Sequence, residues 1–395
     1  MTASIKNPGT TLAEELRHQS EQDAAVTPMD AVLETALKGD LVEDHCFKLL
    51  GHLWTFKQRG ALQMVVGKLF KQFLFLLAFV ALTMLGPEAL AQPELKKVRM
   101  GATGTHVGYL PIQVAHHKGF YREEGLDLEI IVMPSNIANA ATLAGDIDYN
   151  GAVTGSVGSA VQGRPIKVLI VTVGRPLLFL VSRKEIRDPL DLKGKKIAGS
   201  SPGGSATILA RLALKHFGLD PDRDAAVLPM GGSTASRFAA METGVVHATV
   251  LSVPENIFAQ ERGFHELVFL GDIARFPQNG FGATEKKIRE NPQEVQKMVR
   301  ATLKGLLFIG DSNNRDEVVG IIMKQQRIND RKLAEQMLRY VERVLTKDAA
   351  VKPEEMQFLV ELMRDNAKVA RPVSAEQVVD FSFLEKARKD LGLTR

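Results

Sequence analysis

Cysteine and tryptophan are nearly absent: Cys46 and Trp54 stand alone among 395 residues. A single thiol excludes a disulfide framework and any cysteine-rich zinc or iron–sulfur site. Charge of one sign is also missing. Fifty Lys/Arg against 46 Asp/Glu leave a net +4, spread along the chain, so composition gives no case for a nucleic-acid binder. Thirty-three glycines and 17 prolines are too few for collagen-like or low-complexity sequence. What remains is ordinary globular material, 45% hydrophobic and 24% charged, long enough for two or three domains.

No apolar run reaches the roughly 20 residues of a spanning helix. The longest, Phe73–Leu85, has Lys68 and Lys71 before it, Gly86-Pro87 after it, then Ala89-Leu90-Ala91. A basic flank, a short apolar stretch and an Ala-x-Ala site predict a signal peptide over 67–91, cleaved near Ala91, and a periplasmic protein beginning at Gln92. The alternative is an uncleaved anchor. Residues 1–66 form an N-terminal extension without a chemical motif, and Met64 would itself make an ordinary signal start. Beyond Ala91 there is neither cysteine nor tryptophan.

Strand and helix alternate from Val98 onward, which predicts an α/β class with a largely parallel sheet. Expected strands include 98–103, 126–132, 149–153 and 167–172. Expected helices include 110–124, closed by Gly125, and 155–161. The same grammar repeats over 177–270. From Asn291 the pattern is helical, with helices expected at 292–309, 315–324, 332–344, 353–366 and 383–391.

Several segments resemble the nitrate/taurine/sulfonate/thiamine-precursor group of ABC-transporter solute-binding proteins. They are Gly108-Tyr-Leu-Pro-Ile-Gln-Val-Ala-His-His-Lys-Gly-Phe-Tyr-Arg-Glu-Glu-Gly-Leu-Asp-Leu-Glu129, Leu190-Asp-Leu-Lys-Gly-Lys-Lys-Ile-Ala-Gly199 with Gly203-Gly-Ser-Ala206, Arg237-Phe-Ala-Ala-Met-Glu-Thr-Gly-Val-Val-His-Ala248, and Asn291-Pro-Gln-Glu-Val295. In the third, His247 replaces the usual aspartate. The resemblance covers roughly 97–320. It implies a type II periplasmic binding protein fold, two α/β lobes with two hinge crossings and a helical C-terminal tail. The implied division is 97–178 for the first part of lobe 1, 179–275 for lobe 2 with the hinge strands, and 276–395 for the return to lobe 1. The crossings are expected near 175–182 and 271–283. A monomeric chain, a small-molecule solute, the membrane permease of an ABC importer and no cofactor follow from the same resemblance.

Ligands in open α/β sheets bind where strand ends meet helix starts. Two small-residue loops fit an anion there, because backbone N–H groups and a helix dipole point at it. One is Thr154-Gly155-Ser156. The other is Ser201-Pro-Gly203-Gly204-Ser205. Each is equally readable as a plain helix cap. Arg175 is a candidate counter-charge or a solvated surface arginine, and so is Arg275. Glu255 would bind an amine or simply compensate a dipole, and Tyr109 would stack on a ring or pack in the core. His106, His116 and His117 lack a carboxylate cluster, so no metal site is expected. Sugar binders sandwich their ligands between aromatic faces, and here only Tyr109 is well placed.

Three classes compete: a solute-binding protein for a small anionic or polar organic solute (sulfonate, carboxylate or nitrogenous ring compound), a membrane-anchored sensor, and an enzyme of the thiamine-pyrimidine-synthase type. The enzyme would need a cysteine- or histidine-based centre that the sequence does not offer. The binding protein is therefore the expected class, with no catalytic residues.

Overall fold

The computed structural model describes residues 94–393, together with Phe73. The expected cleavage at Ala91, the extension over 1–66 and, apart from Phe73, the apolar segment lie outside the described residues.

Two five-stranded sheets organise the described chain. The first begins with β1 (Lys96–Ala102), α1 (Leu110–His117), β2 (Leu126–Val132), α2 (Ser135–Ala144), β3 (Tyr149–Ala152), α3 (Val153–Val161) and β4 (Ile166–Val173). The second holds β5 (Phe179–Ser182), β6 (Lys196–Gly199), α4 (Ser205–His216), β7 (Ala226–Pro229), α5 (Thr234–Glu242), β8 (Ala248–Leu251), α6 (Glu255–Glu261) and β9 (His265–Phe269). The chain then returns to the first sheet as β10 (Asn279–Thr284). Strand orders are β2-β1-β3-β10-β4 and β7-β6-β8-β5-β9. Only β5 and β10, the strands that follow the two crossings, run antiparallel to their neighbours. Each sheet is otherwise parallel, as expected for strands joined by helices.

Gln278 fastens the crossings together. Its Oε1 accepts the Leu177 N–H at 2.9 Å, and its own N–H donates to the Val173 carbonyl at 2.9 Å. Its carbonyl accepts the Val153 N–H at 3.2 Å, which ties the start of α3 to the hinge.

The tail forms α7 (Pro292–Gly310), α8 (Arg315–Gln326), α9 (Arg331–Glu342), α10 (Pro353–Asn366) and α11 (Ser382–Asp390). α7 packs on α1 and α10 on α3, so the tail lies over the first sheet's helices. Two tail segments also cover the outer edge of β4: the Gly174 N–H donates to Val344, and the Val168 N–H to Val378, both at 2.9 Å. A covered edge cannot template pairing with another chain. Tyr340 of α9 stands edge-on to the hinge-strand residue Phe179, with centroids 5.3 Å apart.

Three sequence expectations change. The helix expected over 110–124 breaks after His117, because Gly119 takes a left-handed φ of 79°, and a separate turn follows at Phe120–Glu123. α3 begins at Val153 rather than Gly155, so Thr154 to Ser156 form its first turn instead of a loop. Asn279–Thr284, expected to be hinge, is a strand in the middle of the first sheet. Its sequence, Asn-Gly-Phe-Gly-Ala-Thr, has low strand propensity. The glycines are needed for contact: a Cβ on Gly280 would sit 2.0 Å from the Ile170 carbonyl oxygen.

Candidate functional site

A cavity of about 80 Å³ lies between the two sheets. Four helix starts converge on it, two from each lobe. Pro134 and Ser135 open α2, and Ala152 and Thr154 open α3. Gly204 and Ser205 open α4, and Thr234 opens α5. The first-turn N–H groups of a helix have no partner inside it, and its N-terminus carries about half a positive charge. Positive ends brought together from both sides repel one another unless negative charge lies between them.

The strongest charge in the cavity is Arg237, on α5 and 5% exposed. Its Nη1 donates to the Gly232 carbonyl at 3.1 Å, and Nη2 to the Val250 carbonyl at 3.3 Å. Its Nε is buried with no partner among the described residues. Burial lowers its pKa to about 10, against the charge of Glu255, so it stays cationic at neutral pH. Two of its nitrogens are tied to backbone carbonyls and the Nε–H donor is left over, so the guanidinium has a hydrogen to give an acceptor oxygen.

His106 faces the same space. Burial, and secondly the Arg237 charge, depress its pKa to about 4, so the ring is neutral. The Gly108 N–H donates to its Nδ1 at 3.2 Å, which leaves the ring proton on Nε2. Tyr109, 2% exposed, accepts from the Thr103 N–H at 3.1 Å, and its ring is tilted against His106 at 5.1 Å. Burial raises its phenol, so it too is neutral. Thr154 Oγ1 and Ser205 Oγ meet at 2.9 Å from opposite lobes.

Of the ten residues expected from sequence, Tyr109, Thr154, Ser201, Gly204 and Ser205 line this cavity. Five do not. Gly155 turns toward α2, where a Cβ would meet Asn139 Oδ1 at 2.5 Å; it serves helix packing. Ser156 is wholly buried beneath β10, its Oγ 2.7 Å from where a Gly282 Cβ would stand. Gly203 makes the left-handed turn before α4 (φ 71°) and faces Asn366. Arg175 donates through Nε and Nη2 to the Arg343 carbonyl at 3.2 and 2.8 Å, so it staples the tail to the first crossing rather than meeting a ligand. Arg275 is exposed. Glu255 stands behind the wall, its Oε2 3.1 Å from Ser252 Oγ, and burial raises its carboxyl. It partly balances Arg237 instead of binding an amine.

The sequence places the loop Thr103–Leu110, and with it His106, at the cleft without giving His106 a ligand role, and it does not single out Arg237, Ser135, Thr234 or the Gln278-Asn279 pair. Arg237 had a readable signal. It lies four residues before the buried Met241 and beside the buried Phe238, so it occupies the core side of an amphipathic helix. A cation on that side needs a reason. No group of three or more His, Cys, Asp or Glu that could hold a metal occurs among the described residues.

The two-lobed arrangement is the fold of the periplasmic binding proteins. The nitrate-binding protein NrtA of Synechocystis shares it, with a TM-score of 0.62 at 15% identity over 76% of this chain and 90% of that one. Residues 106–313 match the NMT1/THI5-like family, and the chain belongs to that family. The binding protein YtlA of Bacillus subtilis is 23% identical over 314 residues, 76% of this chain and 92% of YtlA. The riboflavin-binding protein RibY of Chloroflexus aurantiacus is 29% identical over 231 residues, 56% of this chain and 64% of RibY. These relatives are binding proteins by name, not enzymes, and the enzyme alternative is set aside.

Proposed function

We propose that this protein captures a small organic anion between its lobes outside the cytoplasm and hands it to the permease of an ABC importer. The observation that carries this reading is Arg237: a buried cation with an unpartnered Nε, in a cavity that four helix N-termini surround. Such a site is electrostatically incomplete without an anion. NrtA, a nitrate binder by name, offers a precedent for an anion on this fold. RibY binds riboflavin by name, but a cavity of about 80 Å³ is far below the 300–1,000 Å³ of ordinary ligand pockets, which favours a solute much smaller than a flavin. The ligand-contacting set in this reading is Tyr109, Thr154, Ser201, Gly204 and Ser205, completed by Arg237, His106 and Asn279. Export follows from the segment over 67–91, with a monomer starting near Gln92.

Thermal melts test the charge requirement. Nitrate, 1-propanesulfonate and butanoate are compared with the neutral ethyl methyl sulfone and butanamide. At least one anion should raise the melting temperature in a concentration-dependent way, with its neutral counterpart inert. Stabilisation by the neutral compounds alone would contradict the reading.

A further inference from the structure

A chain of hydrogen bonds leads from Arg237 to a carboxylate behind the cavity wall. Arg237 Nη2 lies 3.4 Å from Thr234 Oγ1, Thr234 Oγ1 3.2 Å from Ser252 Oγ, and Ser252 Oγ 3.1 Å from Glu255 Oε2. Thr234 and Ser252 line the cavity, and Glu255 stands partly buried at the start of α6. The two ends fix the direction of the chain, because a guanidinium can only donate and a carboxylate can only accept. Ser252 therefore gives its one hydrogen to Glu255, and Thr234 gives its own to Ser252. While Glu255 is charged, neither hydroxyl has a hydrogen for an anion in the cavity.

A proton on Glu255 reverses this. The carboxyl then donates to Ser252 Oγ, and the Ser252 and Thr234 hydrogens are released toward the cavity. The negative charge that offsets Arg237 also disappears. An anion seated on Arg237 drives the same change, since it and the Glu255 carboxylate repel each other across one guanidinium. We infer that the solute anion binds together with a proton, drawn from solvent and held on Glu255, so that affinity rises as pH falls. This rests on the anion reading above and adds a proton to it. Burial already holds the Glu255 carboxyl above its ordinary value, which brings its titration nearer to neutral pH. The charged groups on the elements packed against α6 are engaged elsewhere: Glu242 of α5 with Arg262, Glu266 of β9 with Asn256 and Gln260, and His265 of β9 with the Lys184 carbonyl. β5 carries no titratable side chain. His106, from the other lobe, is the rival for the proton.

The test is calorimetry on the intact protein at pH 6 and pH 8, in buffers of different ionisation enthalpy, with whichever of nitrate, 1-propanesulfonate and butanoate binds. All three are anions at both values, so a proton taken up belongs to the protein. Binding at pH 6 should take up a fraction of a proton, at most about one, and be roughly 3- to 30-fold tighter than at pH 8. In Glu255→Gln the uptake should vanish and the two affinities agree within about twofold. In His106→Gln both effects should persist. Either variant alone assigns the proton, so one that folds is enough. Equal wild-type affinities without proton uptake overturn this inference and leave the anion reading standing. So does uptake that survives in Glu255→Gln or is lost in His106→Gln while the anion still binds. If none of the three anions binds at all, both fall.

Discussion

Thr154 Oγ1 and Ser205 Oγ stand 2.9 Å apart, the first on helix α3 of one lobe and the second at the start of α4 on the other. A hydrogen bond of this kind across a cleft makes the described state a closed one. It also presses two helix N-termini together, which costs energy that an anion in the cavity would relieve.

Removing this contact should open the empty protein. A neutral hydroxyl pair contributes about 0.5–1.5 kcal/mol. Thr154→Val should therefore move the open/closed ratio toward open by roughly 2- to 12-fold. Single-molecule energy transfer between labels on the two lobes, without ligand, reads this directly. An unchanged distribution would mean the contact does not latch the lobes.

The middle strand of the first sheet makes a stability prediction. Gly280→Ala would place a Cβ 2.0 Å from the Ile170 carbonyl oxygen and 2.9 Å from Val171 Cα. Backbone cannot yield as a side-chain tip can, so urea unfolding should show a loss of about 2–4 kcal/mol. Gly320, inside α8 with open space around its Cβ position, is the control. Gly320→Ala should stabilise by up to about 1 kcal/mol. Equal effects at the two glycines would contradict the packing described.

These elements also show what could be read before the fold was known. The βα grammar was legible because buried strands such as Ile166–Val173 are continuous apolar runs and helices such as Pro353–Asn366 carry their own periodicity. β10 was not, since its two glycines are chosen for contact with Ile170 and Lys167 rather than for strand propensity. At the site, loops rich in small residues pointed to Thr154, Gly204 and Ser205, because a helix start advertises itself locally. The same signal overreached at Gly155 and Ser156, where one step along the helix turns a side chain from the cavity into the lobe. Arg175 was singled out for lying at a crossing, but position along the chain does not say whether a guanidinium meets a ligand or the Arg343 carbonyl. Glu255 and Arg237 influence each other across 18 positions of sequence, and only tertiary structure shows which of them lines the cavity.

His106 gives a pH prediction. Burial and the Arg237 charge hold it down to about 4, whereas in the unfolded chain it titrates near 6.5. Between those values the unfolded state binds a proton that the folded state does not. Its contribution is thus fully present above about pH 7 and is lost as pH falls toward 4. The loss amounts to roughly 3 kcal/mol at most. Chemical denaturation of wild type and His106→Gln at pH 7.5 and pH 4.5 isolates it from the carboxylates. The wild type should lose more stability on acidification than the variant. Identical losses would show that His106 is not held neutral.

The central claim is that Arg237 receives the anionic end of the solute, and isothermal calorimetry of Arg237→Gln with the tightest-binding anion tests it most directly. The account predicts an affinity loss of about 2–5 kcal/mol, roughly 30-fold or more. Binding within about twofold of wild type would contradict it and place the anion elsewhere.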